Sequence, residues 1–125
     1  MSSGYPVVPP NGREGTLSSA QFSNPTTTRQ KVSFPSGAVW LLLSYQLLPG
    51  ATAVAGQYLK AVLNAASDAD ANGKLATSGA YVVVHQGDSF ALSAPASDPI
   101  RRVDFQTAQA VGAEVTLFQV IGGVR

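Results

Sequence analysis

Short runs in which apolar and polar residues alternate, each closed by a proline or glycine turn, are the feature that most restricts the fold of this chain. The first run lies at residues 28–34, where Thr, Gln, Val and Phe alternate with Arg, Lys and Ser. A period of two puts the two sets on opposite faces of a strand, so this run predicts a strand with one solvent-exposed face. The turn residues Pro35-Ser36-Gly37 are predicted to end it.

The next runs predict strands nearer the centre of the fold. Residues 39–48 begin with apolar side chains on both faces, which is typical of a central strand covered by a second layer, and Pro49-Gly50 closes the run as a turn. Residues 80–85 and 90–94 also favour strands, and Gln86-Gly87-Asp88 between them is typical of a turn. These two strands are therefore predicted to form a hairpin.

The rest of the chain continues the pattern. Residues 102–107 and 114–121 alternate, and Gly122-Gly123 is predicted to end the fold. Residues 53–66 fit both an amphipathic helix and a strand, and the β character of the flanking segments favours a strand at about 57–64. Roughly five or six strands with closely spaced turns predict an all-β fold, an antiparallel β-sandwich or jelly roll. The predicted core is Val32, Phe34, Val39, Leu41, Leu43, Val82, Val84, Phe90, Leu92, Val103, Phe105, Val115 and Leu117.

Residues 1–25 differ from the rest of the chain in composition, because they contain four of the eight prolines. Proline fixes φ and lacks the N–H donor, so this segment is predicted to be an extended N-terminal arm, with residues 26–125 as the β domain. The arm either packs along its own domain or, as we expect, binds a neighbouring subunit. The apolar anchors of that interface are predicted to be Tyr5, Val7, Val8, Leu17 and Phe22.

Charge and cysteine content narrow the possible functions. Charged residues are 12% of the 125 residues, against roughly 25% in average proteins, and the net charge is +1. Such a balanced chain lacks the basic patch of a nucleic-acid binder, and its absence of cysteine excludes disulfides and thiolate metal sites. So few charges would coat a soluble monomer poorly, which indicates that part of the surface is buried against another molecule.

Membrane and secretion signals are absent from the sequence pattern. No apolar run approaches the roughly 20 residues that a membrane helix needs. The first residues lack the basic region and apolar stretch of a signal peptide. We therefore expect no membrane partner and no secretion by that route.

One motif resembles a metal loop. Residues 68–73, Asp-Ala-Asp-Ala-Asn-Gly, match the opening of a calcium loop, in which alternating oxygen ligands face one cation. The twelfth loop position falls on Gly79, which cannot supply the usual bidentate carboxylate. The segment therefore predicts at best a weak ion site, and we favour a polar connection between strands with Asn72-Gly73 as a type I′ turn.

Catalytic residues are scarce. His85 is the only histidine, with Asp88 and Ser89 close by, so a nucleophilic triad would have to include it, and a three-histidine metal site is excluded. No spacing among the acidic residues singles out a glycosidase pair. We expect a non-enzymatic protein without a cofactor, in which His85 is a surface or structural residue.

Aromatic residues leave one binding alternative open. Trp40, Tyr45, Tyr58 and Tyr81 could form a platform that stacks on sugars, as in a carbohydrate-binding or adhesion module. Aromatics at alternating positions of a strand are more often core residues, and Trp40 lies in the most apolar run. Exposed, coplanar rings would favour the sugar-binding alternative.

The chain resembles the decoration or cement proteins of tailed-phage capsids. The features that carry this resemblance are the Pro-rich segment 5–25, the cysteine-free body with few charges, and the strand-dense ending at residues 114–120. The resemblance implies a symmetric oligomer bound to a capsid shell, without chemistry. Its expected partners are its own copies and a major capsid or other virion protein, and its expected location is the virion after synthesis in the host cytoplasm.

Overall fold

The structure is a computed structural model, which describes residues 16–112 and 114–124. In these residues the chain forms seven strands and one short helix. The all-β prediction is confirmed, and the finer description as a β-sandwich or jelly roll stays a prediction. The elements are β1 (Thr16–Ser23), β2 (Gln30–Leu47), β3 (Tyr58–Leu63), α1 (Asp68–Leu75), β4 (Val82–His85), β5 (Ser89–Ser93), β6 (Ile100–Thr107) and β7 (Thr116–Val124).

All strands join one antiparallel sheet in the order β1-β7-β2-β6-β3-β4, with β5 also paired to β2. The 18-residue strand β2 belongs to two parts of this sheet. Its first part pairs with β6, and its second part lies between β7 and β5. Ala38 marks the change, because it is opposite Ile100 on one side and Val124 on the other.

We name the two parts by their charge. The neutral half consists of β1, β7, β5 and residues 38–47 of β2, and the charged half consists of β6, β3, β4, residues 30–37 of β2 and helix α1. Side chains from the inner faces of both halves form one shared core. The sheet therefore curls around that core, and each half keeps an outer face.

The turn predicted at residues 35–37 is a break in register within β2, not the end of a strand. The pairing of β2 with β6 shifts between Ser33 and Ala38. Pro35 has no N–H for the ladder, and Gly37 takes a φ of 78°, which side-chain-bearing residues rarely adopt. Proline and glycine thus bend the strand while it continues, as a β-bulge does.

The turn predicted at residues 86–88 forms, but the predicted hairpin around it and the predicted end of the fold at Gly122-Gly123 were wrong. Strands β4 and β5 do not pair with each other, because β4 pairs with β3 and β5 with β2. The turn between them instead bonds to β2, where Gly87 N–H donates to the Tyr45 C=O at 2.8 Å. Gly122 and Gly123 lie inside β7 and pair with both of its neighbouring strands.

The predicted core is largely confirmed, with one reversed strand. Phe34, Leu41, Leu43, Val84, Val103 and Phe105 belong to the buried cluster, with Val32, Val82, Phe90 and Leu92 packed against it, and Val39 is also buried. In β7, however, Thr116, Phe118 and Val120 are buried, Leu117 is half-buried on the opposite face, and Val115 is 45% exposed. A one-residue error in phase moves every side chain of a strand to the other face.

Residues 53–66 contain strand β3, so the strand favoured for this segment is confirmed. The connection that follows β3 contains helix α1 and not the type I′ turn predicted at Asn72-Gly73. Ser67 caps the helix by accepting the Asp70 N–H at 3.1 Å, and Asp70 accepts the Ala66 N–H at 2.9 Å. This reciprocal pair of bonds satisfies two N–H groups and begins a helix that sequence alternation does not reveal.

The predicted arm divides at residue 16. Residues 1–15, with Tyr5, Val7 and Val8, lie outside the described residues. Residues 16–23 form strand β1, which pairs along β7 from Thr16 opposite Val124 to Ser23 opposite Leu117. This part of the predicted arm is therefore an edge strand of the chain's own sheet.

Candidate assembly surface

The neutral half has no charged side chain in any of its four strands, nor a histidine. Every Asp, Glu, Lys and Arg of the described residues lies elsewhere in the fold. The four strands come from distant parts of the sequence, and the sheet order places them side by side. Their shared outer face is therefore an uncharged surface several strands wide.

Cross-strand pairing defines this outer face, which we call the neutral face. Leu42 lies opposite Ile121 of β7 and Ala91 of β5, while Ile121 lies opposite Ser19 of β1. Because successive side chains alternate between faces, the other members follow at every second residue. The neutral face consists of Ser19, Gln21, Ser23, Trp40, Leu42, Ser44, Gln46, Ser89, Ala91, Ser93, Leu117, Gln119 and Ile121.

Apolar and uncharged polar side chains alternate along the neutral face, because Leu42 lies opposite Ile121 and the next pair on this face is Ser44 opposite Gln119. Leu42, Leu117 and Ile121 are half-buried, whereas the serines of β1 and β5 on this face are exposed. The face therefore mixes apolar and polar side chains, as the interfaces of non-obligate complexes do.

Trp40 lies at one end of the neutral face and is only 3% exposed. Its indole lies directly over Gly123, where a Cβ atom would overlap the ring at Nε1. The buried Nε1–H has no acceptor among the described residues. Because position 123 is a glycine, the indole can lie directly against the backbone of β7.

Strand β1 forms one free edge of the neutral half, since no described strand pairs beyond it, and β5, which pairs only with β2, forms the other. Asn24 N–H donates to the Thr116 C=O at 2.9 Å, which sets the phase of the β1–β7 ladder. Backbone groups of successive residues alternate in direction, so Leu17, Ser19, Gln21 and Ser23 direct their N–H and C=O groups away from β7. β1 thus presents a row of backbone donors and acceptors that have no partner among residues 16–112 and 114–124.

The charged half is built around a buried carboxylate. Asp104 is 0% exposed, and the Arg102 Nε donates to its Oδ1 at 2.6 Å while Arg102 Nη2 and Arg29 Nη1 each donate to Oδ2 at 2.7 Å. Hydrogen bonding to Asp104, followed by that to Asp68, raises the pKa of Arg102. The two arginines compensate the charge of the buried carboxylate, so the loss of either side would leave an uncompensated charge in the fold.

Of the two carboxylates in the calcium-like motif, Asp68 binds helix α1 to the sheet and Asp70 bonds within the helix and the residues just before it. Asp68 pairs with Arg102 at 2.9 Å and with Lys31 at 3.5 Å, and these cations with Arg29 lower its pKa. The Ala66 N–H and then Lys74 lower the pKa of Asp70. Both carboxylates therefore have protein partners, and no group of three potential metal ligands occurs among the described residues.

A second buried polar group lies at the end of the core. Glu114 is 2% exposed and accepts the Gly112 N–H at 2.7 Å and Gln57 Nε2 at 3.3 Å. Burial raises the pKa of nearby Tyr45, whose hydroxyl has no hydrogen-bond partner among the described residues. These contacts tie the loop before β7 to the start of β3, which is a structural role.

The residues considered for catalysis are not brought into a site. His85 ends β4 on the surface and faces the Tyr58 ring at 5.8 Å between ring centres. Asp88 and Ser89 are exposed on the turn and strand that follow. No pocket occurs in the described part of the chain, and its one helix, eight residues long, is too short to span a membrane.

The predicted aromatic platform is not assembled. Trp40 is buried on the neutral face, whereas Tyr45, five positions along the same strand, points into the core and is fully buried. Tyr81 lies under the Lys60 ammonium in the charged half, 5.1 Å from ring centre to Nζ. Rings on different faces cannot stack together on one sugar.

Two of the predicted interface residues fall within the described strands. Leu17 lies in β1, at the free edge of the sheet. Phe22 was predicted to bind a neighbouring subunit, but its ring packs edge-on against Phe105 of its own core at 4.7 Å. Position 22 lies on the inner face because it is opposite Phe118 in the ladder.

Comparisons with known proteins found little similarity to this chain. No protein-family model and no curated protein matches it. Among solved structures, it is similar to a chain from a study titled "Bacillus endospore appendages form a novel family of disulfide-linked pili", with 12% identity and a TM-score of 0.41. The match covers 100% of this chain and 98% of that one.

Proposed function

We propose that this is a non-enzymatic structural protein that works by binding copies of itself and a larger assembly through the neutral face. The observation that carries the proposal is the complete absence of charge from three strands, β1, β5 and β7, and from residues 38–47 of β2 between them. In the charged half, by contrast, Asp104 forms ion pairs with the two arginines around it.

The physical reason is the cost of removing charges from water. A partner that covers a charged face must desolvate ions and then pair each of them, which often yields no net gain. A partner that covers the neutral face buries apolar area worth roughly 25 cal/mol per Å² and has only Ser and Gln groups to satisfy. The neutral face is thus the surface on which protein contacts gain most.

The assembly we propose is a virion, with the chain as a decoration or cement protein that stabilises the capsid shell. In this proposal its partners are its own copies and a major capsid or other virion protein, and the N-terminal anchors Tyr5, Val7 and Val8 contribute to those contacts. The alternative function, a carbohydrate-binding or adhesion module, has weaker support because its aromatic platform is not formed.

A lysine placed in the centre of the neutral face tests the proposal. We expect wild-type protein to sediment above the monomer mass, and Leu42→Lys to shift it toward the monomer without a change in circular dichroism. Val83→Lys is the matched control, because Val83 is a 40% exposed strand residue in the charged half. A wild-type protein that stays monomeric at millimolar concentration, or equal effects of the two lysines, would contradict the proposal.

A glycan-binding screen distinguishes the carbohydrate-binding alternative from the proposed structural role. Tight, specific binding of a sugar by the monomer, abolished by Trp40→Ala or Tyr58→Ala, would favour an adhesion module. We expect no such binding.

A further inference from the structure

The free edge of β1 has features that make it a template for another strand. It is eight residues long, and its register with β7 contains no shift. Its sequence, TLSSAQFS, has no charge, proline or glycine. Edge strands usually carry charges, prolines or bulges that prevent pairing with other chains, and β1 has none of these within its length.

The opposite edge of the sheet does not share these features. β4 is only four residues long and ends at His85, and the exposed residues that follow it include Asp88. The turn after β4 then bonds to Tyr45 of β2 through Gly87 N–H and Asp88 C=O, at 2.8 and 3.1 Å. The third edge strand, β5, is also uncharged but only five residues long, so β1 is the longest uncharged edge among the described strands.

The open groups are symmetric about one residue. They belong to positions 17, 19, 21 and 23, whose midpoint is Ala20. If two copies of β1 run antiparallel about a two-fold axis at Ala20, Ser19 of each copy lies opposite Gln21 of the other. Both residues direct N–H and C=O groups to the shared edge, so every open group in the overlap finds a partner.

The absence of charge from β1 favours a second copy of this chain as the partner that pairs with it. A two-fold axis brings identical side chains close together, so any charge near it would meet a like charge. β1 and the neutral face beside it are free of charge, and the small Ala20 side chain fits where the axis brings Cβ atoms closest.

We propose that two copies pair antiparallel through β1, which joins their neutral halves into one continuous sheet. This inference rests on the proposed function, because it names the first contact by which copies assemble. The pairing doubles the width of the neutral face, which then remains available to the larger assembly.

Proline at position 21 tests the edge directly. Gln21→Pro removes an N–H that points away from β7, so the β1–β7 ladder keeps its bonds. Gln21→Ala is the matched control, since it removes the side chain and keeps that N–H. We expect Gln21→Pro to raise the dimer dissociation constant at least about tenfold, because it removes a hydrogen bond across the shared edge and places the proline ring there. We expect Gln21→Ala to change the dissociation constant little.

Amide hydrogen exchange along β1 supplies a second readout that does not depend on a variant. In the dimer, the amides of Ser19, Gln21 and Ser23 are expected to exchange slowly and to lose protection on dilution. The amides of Ser18, Ala20 and Phe22, which bond to β7, are expected to stay protected at every concentration.

The outcomes separate this inference from the proposed function. If copies still associate in Gln21→Pro and Leu42→Lys alone disrupts them, the edge inference is wrong and the neutral-face proposal stands. If the amides at 19, 21 and 23 stay protected in the diluted monomer, the edge is covered by the chain itself, which also overturns the inference. A monomer with unprotected edge amides at all concentrations contradicts both.

Discussion

The two halves of the sheet share one core but are stabilised by different means. The charged half depends on paired side chains: Asp104 is enclosed by Arg102 and Arg29, and Asp68 holds helix α1 to the same arginines. The neutral half depends on backbone pairing and on close contact between aromatic rings and the glycines of β7. A half that is stabilised without charges leaves an outer face that a partner can cover at little cost.

The largest expected effect of a single substitution is in the charged half. Asp104→Ala leaves two arginines without the carboxylate between them, and breaking a buried ion pair from one side costs about 3 kcal/mol or more. We expect a loss of that order in the free energy of unfolding, measured by urea denaturation.

Asp98→Ala is the control for this variant, because Asp98 is an exposed acidic residue in the connection before β6. We expect it to change stability by less than about 0.5 kcal/mol, as surface substitutions usually do. Equal losses in the two variants would show that the Asp104 pairing does not stabilise the charged half.

In the neutral half, Gly122 is expected to be sensitive to substitution. A Cβ atom there would lie 2.7 Å from the Cε1 atom of Phe34, whose ring is 1% exposed and has little room to move. Gly122→Ala should therefore lower the free energy of unfolding by about 1–3 kcal/mol, as overpacked cores do.

A double-mutant cycle sharpens this prediction. Phe34→Leu shortens the side chain that the new methyl group meets, so the two substitutions together should cost less than the sum of their separate effects. If the two effects were strictly additive, contact with the Phe34 ring would not be the reason why glycine is needed at position 122.

Local patterns predicted the strands well, because alternation records which side of a strand is buried. The strand at residues 57–64 and most of the core are examples. The same pattern failed in β7, where Thr116 takes a core position and Val115 is exposed. In a run of mostly apolar residues with a buried threonine, composition alone does not fix the phase.

Features that depend on distant contacts could not be predicted. Pro35 and Gly37 look like the end of a strand, yet β2 continues because β5, β6 and β7 pair along its length. The low charge content predicts that some surface is buried against a partner, and this stays a prediction. Which surface it is depends on the sheet order, since the uncharged strands are separated in sequence by the charged ones.

A substitution in helix α1 is expected to have a smaller effect and to raise the stability of the protein. Gly73 lies within the helix, and a Cβ atom there would meet nothing within 4 Å. Because glycine in a helix costs roughly 0.5–1 kcal/mol relative to alanine, Gly73→Ala should stabilise the protein by about that amount. Thermal unfolding measures the change, and a destabilised variant would mean that this segment is not helical in solution.

The smallest expected effect is the response of the charged half to acid. The pKa values of Asp68 and Asp70 are lowered in the folded protein, the first chiefly by Arg102 and the second chiefly by the Ala66 N–H. A carboxylate with a depressed pKa stabilises the fold fully above its unfolded pKa of about 3.9, and this contribution is lost as pH falls through the folded value. Below about pH 5, stability should therefore fall, and Asp68→Asn should make that fall shallower. Added salt at 1 M should weaken the Asp68 contribution, since this carboxylate is exposed to solvent. Identical pH profiles for wild type and Asp68→Asn would show that the Asp68 ion pairs do not hold helix α1 to the sheet.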